Sequence, residues 1–299
     1  MLSYRWSLAC VLTLCAASAN AGGAWLPEAG HGTLYQGYSR KTANTSWDAA
    51  GTGFTNPGRF ENHDFRYHYL SGEVGLGRRL SATFLVTYLD GREGPSGHLE
   101  RNAGLSDAWF GLKWGLTDGV WKSALALTAR TAEFYDIEGP YSRDLYDDEG
   151  EFLGHSPEWR GLLREDYTLE SVFSRSLDAG RAWVTASAGY TYRVGAPADQ
   201  VPVLGEYGWW SGSRRYAVKV QALLVRSLGN DSARGPSDRF GSRATFNFND
   251  ASMGRVGASL IVPFGGQGHW SVEAGYNVWV WGRSARQYEE PFFAVGRSF

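Results

Sequence analysis

The feature that most constrains the fold is a period-two alternation of apolar and polar residues over long stretches of the chain. In the stretch 270–280 the even positions carry Trp, Val, Ala, Tyr, Val and Val, whereas the odd positions carry mainly small or polar residues. The stretches 182–192 and 216–224 repeat this pattern. Successive side chains of a strand point to opposite sides, so the alternation predicts strands with one apolar and one polar face. The chain is therefore predicted to be all-β.

Three further features favour a membrane barrel over a soluble sandwich, which also alternates. The alternating segments are about 10 to 15 residues long, enough to cross a bilayer at a tilt. Tyr and Trp stand towards the ends of many apolar faces, where interfacial aromatic girdles are expected. The connections alternate between short turns and longer loops, as in bacterial outer-membrane barrels. We therefore predict a transmembrane antiparallel up-and-down β-barrel.

The number of strands follows from the positions of these connections. Short turns are predicted at 77–79, 117–119, 178–180, 211–213 and 265–268, longer connections at 43–60, 94–103, 135–160 and 229–250, and two further short ones near 195–197 and 282–284. Twelve strands result: 31–42, 61–76, 80–93, 104–116, 120–134, 161–176, 181–195, 199–210, 214–228, 250–264, 268–282 and 287–299. Ten or fourteen also fit, because 229–250 has room for a further hairpin. An even number places both chain ends on the periplasmic side.

Composition excludes several other classes of protein. The chain of 299 residues has 29 Lys and Arg against 31 Asp and Glu, which argues against a strongly basic nucleic-acid surface. Mean hydropathy is −0.34, and no run of about 18 apolar residues follows the N-terminal region, so a helical membrane bundle is excluded. The aromatic fraction of 15% and the 39 glycines favour an all-β chain over disorder.

Residues 1–21 are predicted to be a secretory signal peptide, which leaves 22–299 as the barrel. Arg5 supplies a positive start, an apolar stretch follows, and Ala19-Asn20-Ala21 forms a cleavage site. The apolar stretch is too short to cross a bilayer as a helix, which disfavours the alternative of an N-terminal anchor. We expect localisation in the bacterial outer membrane after cleavage near Ala21–Gly22.

Both cysteines, Cys10 and Cys15, lie inside this predicted leader. The mature chain is therefore expected to lack disulfides and thiolate metal sites. We predict neither a cofactor nor a metal.

The chain ends on an aromatic residue, Phe299, after the segment Phe-Phe-Ala-Val-Gly-Arg-Ser. This end resembles the C-terminal strand signature of bacterial outer-membrane barrels, which the barrel-assembly machinery reads. The resemblance implies that Phe299 is a membrane-assembly signal. Arg297 departs from the pattern because it shares the parity of Phe299, but an outward arginine near the membrane edge can extend to the lipid headgroups.

Three segments carry a closer resemblance: 25–32 (WLPEAGHG), 72–80 (GEVGLGRRL) and 104–113 (GLSDAWFGLK). Together they resemble the outer-membrane family named for the meta-pathway of phenol degradation, a family of transporter barrels. The shared motifs are structural, a strand–turn–strand signature and a Gly-Leu-x-Asp strand start. The resemblance implies an outer-membrane channel-like protein and does not identify a substrate.

Polar residues opposite the apolar faces would line the lumen. The candidates are Asp107, Lys113, Lys122, Arg130, Arg164, Asp166, Glu170, Glu206, Lys219, Arg255, Glu273 and Asn277. If the short turns set the register, the predicted cross-strand neighbours are Asp107 with Arg130, Glu206 with Lys219, Arg255 with Asn277, and Ser259 with Glu273. These pairs fit a polar constriction that selects small solutes, and they equally fit a lumen filled by salt bridges with no open path, since small barrels enclose little space.

Three tryptophans, Trp109, Trp279 and Trp281, share the inward parity. They fit contact with an aromatic solute, but packing of the interior is favoured.

The connection 135–160 holds eight acidic residues. A Ca²⁺ site there is an alternative, because hard cations take several carboxylates, but EF-hand spacing is absent and a solvated acidic loop is favoured.

Enzyme function is not predicted, since the sequence contains neither G-x-S-x-G nor H-E-x-x-H. An outer-membrane lipid hydrolase would need a serine within hydrogen-bond reach of a histidine. The candidates near the outer loops are Ser106, Ser156, His63, His98 and His155.

We therefore predict an outer-membrane channel or transporter for passive passage or binding of a small solute, with hydrophobic or aromatic compounds among the candidates. A plugged structural or scaffolding barrel is the main alternative, and a lipid hydrolase is less favoured. The expected partners are outer-membrane lipid and lipopolysaccharide, the barrel-assembly machinery and a small-molecule solute, and no nucleic acid.

Overall fold

A computed structural model gives the architecture of the protein. The structure describes residues 23–47, 50–55, 62–94, 100–131, 143–146, 152–156, 165–194, 198–229, 251–265 and 269–299. The predicted signal peptide, Arg164, His98 and most of the connection 229–250 lie outside the described residues.

Twelve long strands form the wall of the molecule. They are β1 (Gly32–Trp47), β3 (Asn62–Gly77), β4 (Leu80–Gly94), β5 (Glu100–Asp118), β6 (Lys122–Thr131), β9 (Asp166–Leu177), β10 (Ala182–Arg193), β11 (Gln200–Trp210), β12 (Ala217–Ser227), β13 (Ser252–Phe264), β14 (Trp270–Arg283) and β15 (Ala285–Ser298). Short strands occur in two connections: β2 (Gly53–Thr55), and the hairpin of β7 (Arg143–Tyr146) and β8 (Phe152–Ser156). Within the described part of the chain, no helix has the length and apolar character needed to cross a membrane.

Each long strand pairs antiparallel with its neighbours, and β15 pairs with β1. The sheet is therefore a closed 12-stranded barrel, which confirms the predicted fold. Gly32 and Phe299 exchange two backbone hydrogen bonds of 3.0 Å, so the start of β1 and the C-terminal residue lie at one end of the barrel. Strands β4, β6, β10, β12 and β14 begin at this same end. We call it the turn end, and the opposite end the loop end.

The alternation places apolar side chains outside and polar ones inside. Val220 is 47% exposed, whereas the neighbouring Lys219 side chain is 11% exposed and points into the barrel. Closure also removes unpaired strand edges, so the backbone groups of the wall are hydrogen-bonded within the sheet. An apolar exterior and an internally satisfied backbone are the two requirements for a β-barrel in lipid.

The loop-end connections contain more strand than predicted. β1 continues to Trp47 and is followed by β2, where the sequence predicted a longer connection at 43–60. The connection 135–160, predicted as a solvated loop, contains the β7–β8 hairpin. Alternation is weak in these short segments, which is why they were not predicted as strands.

Candidate functional site

The barrel interior has two halves with different packing. The half at the turn end contains a cavity of about 620 Å³, which reaches the rim at Gly180 and Ser298. Aromatic side chains on its wall are Trp25, Tyr35, Tyr67, Tyr69, Trp183, Trp210 and Phe292, and charged ones are Glu73, Glu206, Lys219, Glu273 and Glu290. This combination of rings and fixed charges is typical of a small-molecule site.

The half at the loop end is filled. A buried cluster that includes Phe65, Leu89, Met253, Trp279 and Tyr288 occupies it. The Trp279 and Tyr288 rings meet edge to face, with centroids 5.5 Å apart. Trp109 belongs to the same cluster, whereas Trp281 is only half-buried. Trp109 and Trp279 therefore pack the interior, the role favoured from the sequence.

An ionic cluster crosses the filled half on four neighbouring strands. Arg130 Nη2 lies 2.5 Å from Asp166 Oδ2, and Arg130 Nη1 lies 3.7 Å from Asp107 Oδ2. Arg193 Nε lies 3.5 Å from the same Asp166 oxygen. All four side chains are buried, so each charge depends on its partners rather than on water.

Glu290 stands at the boundary between the two halves. Its carboxylate is 3.6 Å from Lys41 Nζ and 3.7 Å from Arg255 Nη1. Asn277 Nδ2 donates to Glu290 Oε2 at 3.0 Å, and Gln221 Nε2 donates to Asn277 Oδ1 at 3.1 Å. Because Glu290, Asn277 and Gln221 also line the cavity, this network forms its floor.

Lys219 organises one wall of the cavity. Its Nζ lies 2.7 Å from Glu273 Oε1 and 4.0 Å from Glu206 Oε2. Ser259 Oγ donates to Glu273 at 2.7 Å, and Trp183 Nε1 donates to Glu206 Oε1 at 2.7 Å. These contacts hold both carboxylates in fixed positions facing the cavity.

The segment before the first strand folds into the barrel at the turn end. Ala24 is buried, and its backbone amide donates to Ser174 Oγ at 2.7 Å. Lys113 Nζ pairs with Glu73 at 2.7 Å and also donates to the carbonyl oxygens of Gly23 and Trp25, at 3.1 and 3.4 Å. This contact was not predicted from the sequence. The signal available was the apolar Ala-Trp-Leu stretch at 24–26, directly before the first strand.

Two glycines keep the cavity open by letting aromatic rings lie against the wall. A Cβ at Gly208 would lie 1.9 Å from the Trp183 ring, and a Cβ at Gly37 would lie 2.1 Å from the Tyr69 ring. Only glycine allows so close an approach. Each ring therefore lies over the backbone of the adjacent strand instead of extending across the lumen.

The structure brings most of the predicted lumen residues together in the interior. Asp107, Arg130 and Asp166 belong to the filled half, and Lys113, Glu206, Lys219, Glu273 and Asn277 to the cavity half, with Arg255 beneath the cavity floor. Glu170 accepts a hydrogen bond from Ser187. Lys122 differs, because it lies at the turn end, 3.3 Å from Asp118, with its side chain one-third exposed. Arg164 lies outside the described residues.

The predicted register was wrong by two residues at each of three turns. Arg130 is opposite Trp109 rather than Asp107, Lys219 is opposite Gly208 rather than Glu206, and Asn277 is opposite Gly257 rather than Arg255. Each turn is centred one residue later than predicted. A register shift of two residues keeps every side chain on the same face of the sheet. Three predicted pairs therefore still contact each other diagonally across the strands: Arg130–Asp107, Lys219–Glu206 and Ser259–Glu273. Arg255 and Asn277 instead converge on Glu290.

The residues considered for hydrolysis do not form an exposed site where they are described. Ser106 and His63 are both buried, and His63 Nδ1 contacts Arg286. His98 and the side chains of Ser156 and His155 lie outside the described structure.

Among the described residues, no group of three or more His, Cys, Asp or Glu is arranged to hold a metal ion. Most of the acidic connection 135–160 lies outside the described residues.

Comparisons with known proteins identify the fold rather than a family. No protein-family model matches the sequence, and no curated protein matches it. The barrel is similar to the COG4313 outer membrane channel from Pseudomonas putida F1, with a TM-score of 0.65 and 11% identity, covering 93% of this chain and 98% of that one. It is also similar to the NanC porin, with a TM-score of 0.52 and 8% identity, covering 89% and 100%. These structural neighbours are outer-membrane channels.

Proposed function

We propose that this protein is an outer-membrane channel that binds and passes a small solute, and that the turn-end cavity is the solute site. The observation that carries the proposal is the cavity of about 620 Å³ inside a barrel with an apolar exterior. Small-molecule sites have volumes of about 300–1,000 Å³ and combine apolar walls with a few placed polar groups. The rings of Tyr69, Trp183 and Trp210 supply apolar wall, and Lys219 and Glu273 supply the polar groups.

The exterior supports a location in the outer membrane. Outward positions carry exposed apolar side chains on neighbouring strands, for example Leu127, Val220 and Phe293. An apolar surface of this kind is unfavourable in water and favourable in lipid. Arg297 points outward near the turn end with its guanidinium 5.2 Å from the Trp270 ring, an arrangement suited to the membrane interface.

The similar structures and the family resemblance support the same class of protein. One similar structure is described as an outer membrane channel and the other as a porin. The segment 72–80, which carries part of the resemblance to the phenol meta-pathway family, forms the end of β3, the turn and the start of β4. An aromatic solute fits both this resemblance and the rings of the cavity.

The filled loop-end half favours a second candidate function, a plugged structural barrel. Its interior holds the cluster around Trp279 and the ions around Asp166. Passage of a solute requires these side chains to move, so we expect low conductance with long closed periods. A plugged barrel would bind solute at the turn end, if at all, without passing it.

Single-channel recording in planar bilayers tests the proposal. The purified full-length mature protein is expected to give stepwise currents that are absent from protein-free bilayers. Persistent silence over many insertions, with correct folding shown by heat-modifiable gel migration, would overturn the channel and leave the plugged barrel.

The proposal also covers removal of the signal peptide and insertion of the barrel into the outer membrane. We infer cleavage near Ala21–Gly22, which N-terminal sequencing of the membrane-extracted protein tests. We also infer that the assembly machinery reads Phe299, whose side chain is exposed beside the β1–β15 closure. Phe299→Ala should lower the amount of folded protein in the outer membrane, whereas an unchanged amount would contradict the assignment.

A further inference from the structure

We infer that the turn-end cavity prefers an aromatic organic cation, a protonated amine attached to a ring, over aromatic anions and neutral aromatic compounds. This inference rests on the proposed function, since it names the solute class of the same cavity. It is carried by the Glu206 carboxylate, by the distribution of charge on the cavity wall and by the two indole rings beside that carboxylate.

One carboxylate oxygen of Glu206 accepts a hydrogen bond, and the other does not. Oε1 accepts from Trp183 Nε1 at 2.7 Å. Oε2 is buried and accepts no hydrogen bond from any described residue. The nearest cation, Lys219 Nζ, is 4.0 Å away, beyond hydrogen-bond distance, and is already held by Glu273 at 2.7 Å. A buried carboxylate oxygen without a donor is costly, so a ligand that brings an ammonium group gains a charge-assisted hydrogen bond there.

The charges around Glu206 leave an excess of negative charge on this wall. Lys219 is shared by two carboxylates, those of Glu206 and Glu273. Glu73 has its own partner, Lys113, at 2.7 Å, so that lysine does not compensate Glu206. An anionic ligand would meet two carboxylates and a lysine that is already engaged, whereas a cation would complete the pairing of Glu206.

Positive charge is also present beneath the cavity floor, but it is directed at Glu290. Lys41 and Arg255 lie 3.6 and 3.7 Å from that carboxylate. Both side chains are fully buried, and both lie over the Trp279 ring, at 5.5 and 5.6 Å from its centroid. Neither side chain lines the cavity, so both neutralise the floor from beneath it.

The Trp183 ring, which donates to Glu206, and the neighbouring Trp210 ring provide an apolar subsite for a ring. Trp183 and Trp210 have centroids 6.1 Å apart and planes tilted by 45°, and both line the cavity. Trp183 is held in place at its Nε1 by Glu206 and beneath its ring by Gly208. Indole faces attract cations as well as aromatic rings. An arylalkylammonium ion therefore fits both the carboxylate and the rings.

Equilibrium binding to the detergent-solubilised full-length protein tests the inference without requiring passage. Benzylammonium, benzyl alcohol and benzoate share one ring and differ in charge, so calorimetry with each compares cation, neutral compound and anion at neutral pH. We expect benzylammonium to bind about tenfold more tightly than the other two, because it alone brings a positive charge to its hydrogen bond with the Glu206 carboxylate.

Two variants with the same change in net charge locate the effect. Glu206→Gln should remove the preference for benzylammonium. Glu289→Gln is the matched control, because Glu289 is an exposed residue on β15 that accepts from Tyr276 at 2.7 Å, and it should leave the preference intact. Heat-modifiable gel migration verifies that both variants are folded.

The possible outcomes separate this inference from the proposed function. Equal affinity for the three compounds, tighter binding of benzoate, or an unchanged preference in Glu206→Gln would overturn the solute class, while stepwise currents in bilayers would still support a channel. Selective binding of benzylammonium without any currents would support the solute class and overturn passage.

Discussion

The two halves of the barrel interior are built from the same twelve strands, yet one holds a cavity and the other is filled. Both contain buried ion pairs, so polarity does not distinguish them. The difference is how the large inward side chains are placed. In the turn-end half, rings such as Trp183 and Tyr69 lie over glycines of the adjacent strands. In the loop-end half, large side chains such as Phe65 and Trp279 pack against one another. Side chains fill the interior of barrels of about 8 strands, and barrels of about 16–18 strands leave a water-filled channel, so a 12-stranded barrel lies between the two cases.

The two halves also differ in how their buried charged side chains are paired. In the filled half the ions contact one another and are sealed from water, as for Asp166 between Arg130 and Arg193. In the cavity half, Glu206 and Glu273 are fixed by hydrogen bonds and line the cavity. In the first arrangement each buried charge depends on its partners, whereas in the second the carboxylates line a space that a ligand can enter.

The largest effect is expected from breaking the sealed ionic cluster. Asp166→Asn removes the charge that two buried arginines share, and loss of one partner of a buried pair costs about 3–5 kcal/mol. Denaturant unfolding in detergent measures the change. Asp118→Asn is the control, because Asp118 forms an exposed pair with Lys122 that is worth at most about 1 kcal/mol. Equal losses in the two variants would contradict a sealed cluster.

Truncating one apolar side chain in each half compares their packing directly. Leu89 is fully buried in the filled half, so Leu89→Ala should lower the free energy of unfolding by about 2–5 kcal/mol. Ile261 borders the cavity, so Ile261→Ala removes fewer contacts and should cost about 1 kcal/mol. The same unfolding experiment measures both. Similar values would mean that the two halves are equally packed.

The sequence predicted the features that depend on periodicity, and it failed where size and local turn geometry decide. Alternation correctly placed Val220 outside and Lys219 inside, because a register error of two leaves the face unchanged. The register itself could not be predicted, since the β11–β12 turn runs to Tyr216 and places the non-glycine Arg214 at a positive φ of 54°. Glycine positions gave no indication of this longer turn.

The division of the interior was also not predicted from the sequence. Depth along the barrel depends on the register of every strand pair, so inward residues such as Leu89 and Met253 could not be assigned to the same layer beforehand. The cavity further depends on Trp183 lying over Gly208 and on the segment around Ala24 folding inward. These contacts join residues far apart in the chain, and no local pattern encodes them.

Adding a side chain at Gly208 tests whether glycine keeps the cavity open. A Cβ there would lie 1.9 Å from the Trp183 ring, so Gly208→Ala should push the ring into the cavity and cost about 1–3 kcal/mol through overpacking. We expect weaker solute binding and lower conductance, with Trp fluorescence reporting the moved ring. Gly205→Ala on the same strand is the control, because no atom lies within 4 Å of its Cβ position. Unchanged solute binding in Gly208→Ala would mean that the Trp183 ring moves to a position outside the cavity.

The smallest effect is expected where the N-terminal segment attaches to the cavity half. Ser174→Ala removes the acceptor of the Ala24 amide, a hydrogen bond worth about 1 kcal/mol. This energy holds a local segment rather than the barrel, so faster amide hydrogen exchange at 24–26 is expected with little change in global unfolding. Ser176→Ala, two residues along the same face of β9, leaves the Ala24 contact intact and should not accelerate that exchange. If exchange at 24–26 is already fast in the unaltered protein, the segment does not stay against the wall. The cavity is then larger than the structure shows, and the difference in packing between the two halves of the interior is greater.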